Sequence, residues 1–316
     1  MADKTAIEWT DATWNPIVGC SIISAGCTNC YAMQAAHDLE RRFGTPKYAG
    51  LTKVVNGNPV WTGDVRLYDQ ALAQPLRWRR PRKIFVNSMS DLFHPRLTGE
   101  QIDRIFATMA LCPQHTFQVL TKRPRLMQAY FNRPTRRELI ADLAAQPTAD
   151  HPRDSLGSIA AAALQWPLPN VWLGVSVENQ AAADERREPM AAIAAQGWNT
   201  WVSYEPALGM VDWSGWEFIR WLVSGGESGP GARAAHPDCH RAARDWCAGA
   251  GIPFLFKQWG EWAPRSHLSP GDGFGKKTHR VDGASPNDCW GYFVGKKAAG
   301  RLLDGIQHDG YPEARP

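Results

Sequence analysis

Cys20, Cys27 and Cys30 place three thiols within eleven residues, in the run Gly19-Cys20-Ser21-Ile22-Ile23-Ser24-Ala25-Gly26-Cys27-Thr28-Asn29-Cys30-Tyr31. Thiolates are soft ligands, and the metals they select include iron in iron–sulfur clusters and zinc. Gly19 and Gly26 give so short a segment the freedom to wrap round one compact centre. A [4Fe-4S] cubane held by three cysteines keeps one iron open to a substrate or cofactor, whereas a purely structural centre takes four ligands. A zinc site is the alternative and needs a fourth ligand. The only close histidine, His37, falls about two turns into the following helix. Absence of any metal is the third alternative. Of the other cysteines, Cys112 and Cys247 sit in amphipathic patterns and read as core, Cys239 lies beside His240 without a usual metal spacing, and Cys289 falls in a glycine-rich tail. Seven cysteines without a secreted disulfide spacing point to a reducing compartment.

A second group of chemistry-bearing residues gathers where strands are expected to end. It comprises Ser88, Ser90 and Asp91; Thr121, Lys122 and Arg123; Ser176, Glu178 and Asn179; Tyr204 and Glu205; and Ser224, Gly225, Gly226 and Glu227. Carboxylates, hydroxyls and a lysine on one face suit a zwitterionic, ribose-containing cofactor. Asp91 or Glu178 would take ribose hydroxyls or an amino group, and Lys122 and Arg123 a carboxylate or phosphate. Each of these residues is equally at home as a cap or turn former. Arg77-Trp78-Arg79-Arg80-Pro81-Arg82-Lys83 is the one dense basic cluster. It reads as a solvated face, or as a stripe in which Arg77, Arg79 and Arg80 contact phosphates of DNA or RNA and Trp78 stacks on a base.

The elements that position these residues follow a strand–helix rhythm. Apolar, β-branched runs predict strands over 13–18, 64–68, 83–89, 116–120, 171–177, 200–204, 221–224 and 252–256. Helical patterns follow most of them, over 31–42, from Asp69, over 98–109, 181–195 and 236–248. Thr98 with Gln101 forms a capping box, and Ile102, Ile105, Phe106 and Met109 share one face. Alternation of this kind predicts an α/β fold with a parallel sheet, closing as a full or partial (β/α) TIM-type barrel over 1–260. An open doubly wound sheet is the alternative, without the Gly-rich phosphate turn a nucleotide-binding version carries. Residues 134–169 read as an insertion, and 261–316 as a glycine- and lysine-rich C-terminal appendage.

Composition narrows the setting. No run approaches the ~18 apolar residues of a membrane-spanning helix, and Met1-Ala-Asp-Lys-Thr lacks the pattern of a secretory leader, so a cytoplasmic location is expected. A net charge of +4 permits contact with nucleic acid without requiring it. Fifteen tryptophans read as core, cavity lining or stacking platforms.

Three cysteines after the first strand of a β/α barrel resemble the radical S-adenosylmethionine (SAM) superfamily. The gap of six residues between the first two cysteines is wider than that superfamily's commonest spacing, and Tyr31 stands just after the last cysteine. The resemblance implies a [4Fe-4S] cluster whose open iron chelates SAM, reductive cleavage to a 5′-deoxyadenosyl radical, and an electron donor such as a flavodoxin or ferredoxin. Trp14-Asn15-Pro16, the cysteine run, 85–94, Gly174–Asn179, Ser203–Pro206 and 295–305 are together similar to a phage- and bacteria-associated three-cysteine family of unknown function. Ser88, Asp91, Thr121, Lys122, Ser176, Glu178 and Asn179 also resemble the SAM-contacting positions of the spore photoproduct lyases, which repair a thymine dimer in DNA. That likeness implies that Ser88 and Ser176 bond the ribose or methionine carboxylate and that Lys122 pairs with the carboxylate. Asn87 stands where those enzymes carry a hydrogen-donating cysteine. Gly225-Gly226-Glu227 resembles the Gly-Gly-Glu that binds the SAM amino group, although here it follows a late strand. The implied activity is hydrogen abstraction from a nucleic acid or nucleoside. The alternatives are a non-catalytic, metal-stabilised nucleic-acid-binding protein of phage type, and a radical SAM enzyme acting on a peptide or small metabolite.

Overall fold

The computed structural model describes residues 5, 7–146, 164–229, 231–268, 277–281 and 290–313. The polar stretch 148–155, most of the run 271–277 and Cys289 lie outside the described residues. Seven strands form the main parallel sheet: β1 (Ala12–Trp14), β2 (Lys83–Val86), β3 (Thr116–Thr121), β4 (Val171–Ser176), β5 (Asn199–Tyr204), β6 (Leu222–Gly225) and β7 (Phe254–Gln258). They are arranged in the order in which the chain makes them. Every residue of β4, β5 and β6 is buried, as expected of parallel strands covered on both faces. By its internal contacts the chain divides into two compact units, one of Met1–Ile23, Ala32–Gly174 and Ala192–Asn199, the other of Ser24–Tyr31, Val175–Ala191 and Thr200–Pro316.

The first unit carries β1 to β3 in parallel register, with Trp14 opposite Val86 and Ile84 opposite Phe117. Helix α1 (Tyr31–Arg41) follows the cysteine run and α2 (Gly99–Ala110) follows β2. The Thr98 hydroxyl accepts from Gln101 N at 3.2 Å, and the Gln101 amide oxygen accepts from Thr98 N at 2.9 Å. Ile102, Ile105, Phe106 and Met109 are buried, so the capping box and the apolar face both stand as the sequence predicts. Two helices were not legible from pattern: α3 (Pro124–Phe131), which begins on a proline suited to a first turn, and α4 (Arg136–Ala145). A buried ion pair fixes them to α2. The Arg136 guanidinium donates to both oxygens of Asp103 at 2.5 and 2.7 Å, and the Tyr130 hydroxyl donates to Asp103 at 2.6 Å.

In the second unit, β5, β6 and β7 pair in parallel. Helix α5 (Gln180–Ala195) follows β4, and α6 (Pro237–Ala250) runs from its N-cap His236 to Gly251, which takes the left-handed φ of 66° that favours glycine at a helix end. Trp262–Pro264, Thr278–Arg280 and Trp290–Phe293 make a small antiparallel sheet. The chain end then returns to β7: Phe256 N donates to His308 O, Gly310 N donates to Phe254 O, and Leu255 bridges Asp309 in antiparallel sense.

The eight-stranded reading is therefore corrected to seven. Pro16 breaks the first run, having no N–H for a ladder, so β1 stops at Trp14 and Ile17–Val18 pairs instead with Arg66–Leu67, antiparallel and outside the main sheet. The edge of β7 is occupied by residues 308–310, running antiparallel to it. Trp14, Trp201, Trp216 and Trp221 are fully buried, which places much of the tryptophan content in the core. No helix of the described residues is long and apolar enough to cross a membrane.

Candidate cysteine centre

Cys20 belongs to the first unit, and its position is set by Gly19. That residue has φ +88°, and a Cβ there would fall 2.1 Å from the Asp64 carbonyl oxygen, so only glycine fits. Gly19 bridges Ser90, and the Ser90 hydroxyl donates to Ile17 O at 2.9 Å, tying the cysteine segment to the loop after β2. The Arg123 guanidinium, at the end of β3, reaches this segment. Its Nη1 donates to Asp91 Oδ2 at 2.7 Å and lies 3.8 Å from Cys20 Sγ, while its Nη2 donates to the Ser21 hydroxyl at 2.8 Å and to Ser21 O at 3.2 Å. Asp91 holds Arg123 in turn. Its carboxylate accepts from the Thr121 hydroxyl at 2.7 Å, Phe93 N at 3.0 Å and Lys122 N at 3.1 Å. Arg123 and Asp91 are both buried. Ser21 also lies 2.9 Å from His94 Nε2, and His94 Nδ1 accepts from Arg96 N, which leaves Nε2 as the donor to Ser21.

Cys27 and Cys30 belong to the second unit, on a turn that three charged side chains brace. Gly26 N donates to Glu178 at 3.3 Å. Glu178 is paired with Arg186 at 2.7 Å, both nearly inaccessible, and Arg186 also donates to Ser176 O. Arg233 donates to Ala25 O at 3.0 Å and clasps Glu227 through Nε and Nη2. The Asn29 amide donates to Glu227 at 3.1 Å and to Gly231 O at 2.7 Å. Burial alone would raise the Glu227 pKa, but the hydrogen bonds from Arg233 and Asn29 outweigh it and hold the carboxyl below its ordinary value. Within the turn, Cys27 N donates to Ser24 O, Cys30 N donates to Cys27 O, and Cys27 Sγ lies 3.8 Å from the Ser24 hydroxyl.

Most of the strand-end residues thus hold the protein together. Asp91, Glu178 and Glu227 carry the braces just described. Asn179 caps α5, its side-chain oxygen accepting from Ala182 N at 3.0 Å. Glu205 pairs with Lys257 at 3.0 Å and accepts from Ser203. Gly225 and Gly226 are needed for packing, because a Cβ would fall 2.6 Å from Glu205 Oε1 at one and 2.0 Å from Trp259 O at the other. Ser88 donates to Asn15, and Asn87, at φ 62°, accepts from Ile17 N. Ser176 is buried. No described residue pairs with the half-buried Lys122 ammonium. Arg77, Arg79 and Arg80 are exposed, but Trp78 is buried, with Arg82 over its ring and His115 at its edge, and offers no face for a base. The basic cluster precedes β2, whereas Asp91 follows it, so the two occupy opposite ends of that strand. Arg186 and Arg233 were missed from sequence because each partner is remote or unmarked by any motif, and Ser21 and His94 because no motif marks the bond between them.

The sequence leaves a cluster, a single zinc ion and no metal as the alternatives for these three cysteines. Among the described residues no three His, Cys, Asp or Glu side chains are grouped round one ion, and His37 faces Thr52 at 3.3 Å. A cubane makes a different demand, with each thiolate on its own iron. The chemistry of the set fits it: all three cysteines are free and partly accessible, and an arginine N–H points at one of the sulfurs. Burial, helped by Asp91, raises the Cys20 pKa to about 12 against the opposing pull of Arg123, so it is the binding of a metal that would make it a thiolate.

Two buried histidines make stability depend on pH. Burial, then Arg123, lowers the His94 pKa to about 4, and burial, then Arg241 and His236, lowers that of His240 to about 3. Both are neutral in the folded protein and more basic unfolded, near ~6.5. Their contribution is complete above pH ~6.5 and is lost as the pH falls toward 4 and then 3. Tryptophan fluorescence in urea should show the midpoint dropping through that window, and His240→Asn should reduce the slope in its acid half.

A family model described as "Protein of unknown function (DUF5131)" matches residues 4–312, and the chain belongs to that family. None of the curated proteins matches it. Among solved structures, it is distantly similar to a spore photoproduct lyase mutant with bound AdoMet and dinucleoside spore photoproduct, at 11% identity over 89% of this chain and 68% of that one, with a TM-score of 0.39. A spore photoproduct lyase complexed with dinucleoside spore photoproduct gives 11% identity, 89% and 67% coverage and a TM-score of 0.33.

Proposed function

We propose that this protein is an iron–sulfur enzyme of the radical SAM type, with Cys20, Cys27 and Cys30 as the cluster ligands. The observation that carries the reading is the bracing of three reduced cysteines: buried ion pairs on both sides hold the backbone of their segment, while the sulfurs stay partly accessible. A fold with no use for those sulfurs would gain little from such anchoring. When bound, a three-thiolate [4Fe-4S] cluster leaves one iron open to SAM and supplies the electron that cleaves it. The chain's own residues would hold the ligand segment still, through Arg123 on Ser21 and through Glu178 and Arg233 on Gly26 and Ala25. Lys122 is the residue best suited to a carboxylate of the cofactor, since its ammonium has no described partner. Anaerobic reconstitution tests the reading: a brown protein that converts SAM to 5′-deoxyadenosine under reduction supports it, and a colourless one holding a single tight zinc sinks it.

The substrate proposed is a nucleic acid or nucleoside, the polymer being gripped by exposed Arg79 and Arg80. The arginines precede β2 and Asp91 follows it, so this grip lies at the opposite end of that strand from Asp91. Changing both arginines to Gln should weaken binding of single-stranded DNA and lower the slope of log K against log salt by about 0.7 for each phosphate no longer neutralised. An unchanged slope would remove the stripe from consideration.

A further inference from the structure

Arg123 is unusual among the buried ions because one of its nitrogens faces a cysteine sulfur as well as a carboxylate. Nη1 lies 2.7 Å from Asp91 and 3.8 Å from Cys20 Sγ, while Nη2 is fixed by Ser21. The guanidinium is planar and rigid, so the bonds to Asp91 and Ser21 determine where the remaining N–H can point. Asp91 is itself immobilised by three further donors, from Thr121, Phe93 and Lys122. A structural ion pair would be complete with Asp91 alone. The additional approach to sulfur is a different kind of interaction, a donor aimed at the atom that would carry charge.

We infer that Asp91 and Arg123 form a positioning pair that sets the reduction potential of a cluster ligated by Cys20, Arg123 raising it through its N–H and charge and Asp91 opposing it. This rests on the cluster reading above. Hydrogen bonds to ligand sulfur and nearby charge are among the levers that set such potentials. A donor or cation beside the sulfur favours the more negative, reduced form, and an anion disfavours it. The two residues therefore act with opposite sign, although they are bonded to each other.

The test is an EPR-monitored redox titration of reconstituted wild type, Arg123→Lys and Asp91→Asn. Lysine keeps the charge on Asp91 but lacks the fork that also reaches sulfur, and asparagine keeps the acceptor oxygen but not the charge. The midpoint, read on the cluster each variant binds, should move negative in Arg123→Lys and positive in Asp91→Asn. Midpoints that stay put, or that move in the same direction, overturn the pairing and leave the cluster in place. Failure of the wild type itself to take up iron overturns both readings, and is told apart by that control. If Arg123→Lys does not fold, the sign of the Asp91→Asn shift decides alone.

Discussion

Cys27→Ser is expected to give a protein that folds as the wild type does and holds no stable iron–sulfur cluster. The two halves of that expectation have separate causes. Cys27 ends the short turn Ala25–Cys27, whose shape is set by backbone bonds and by the braces on Gly26 and Ala25. Its sulfur is partly exposed and approaches the Ser24 hydroxyl at 3.8 Å, an interaction a serine hydroxyl can replace. Thermal stability should consequently change by no more than about 0.5 kcal/mol. The ligand chemistry is not replaceable in the same way. A serine oxygen is a harder donor and far less acidic than a thiol, and loss of one ligand from three leaves a cluster with two anchored corners. After anaerobic reconstitution and desalting, wild type should retain about four irons per chain and the variant well under one. Wild-type iron content in Cys27→Ser would show that this thiol is not a ligand. Cys112→Ser is the control, and it should behave oppositely: its thiol is fully buried, so the cost falls on stability while iron uptake persists.

The elements that sequence revealed are those whose signals are local. The capping box at Thr98, the amphipathic face of α2 and the apolar runs of β2 to β7 each reside within a dozen residues, and each stands where the pattern places it. The strand expected over 64–68 stands outside the main sheet because Pro16 frees Ile17–Val18 to pair with Arg66–Leu67, and no local signal says that 308–310 will take the edge of β7. Helix α4 was hidden for a similar reason: its burial depends on Asp103, 33 residues away, which converts Arg136 from a surface residue into a core one. In the candidate site, sequence pointed to the cysteines and to the acidic residues around them. It could not say that those acids would be turned toward Arg123, Arg186 and Arg233, because partner choice is a property of the folded chain. Asp91 and Glu178 read as ligand-binding carboxylates in a motif, and in the fold each is paired with an arginine.

Glu178 is where that distinction has the largest measurable consequence. Its carboxylate lies between Arg186 and Gly26 N, so one side chain couples a buried ion pair to the cysteine turn. Glu178→Gln keeps the shape but leaves the Arg186 guanidinium, 2% exposed, without its counter-charge. Breaking a buried pair in this way destabilises by about 3–5 kcal/mol, and a urea midpoint well below wild type is expected. Replacing both partners together, as Glu178→Met with Arg186→Leu, removes the stranded charge and should recover much of the loss. The double variant does not restore an acceptor for Gly26 N. Hydrogen exchange over 24–31 should therefore remain faster than wild type even where global stability has returned, and iron retention should fall with it. If exchange in that segment instead recovers in step with the urea midpoint, Glu178 supports only the fold and the turn needs no brace. If it stays fast while the midpoint recovers, the carboxylate has two separable roles, and the one that matters to the cysteines is the single weak bond to a glycine amide rather than the strong pair beside it.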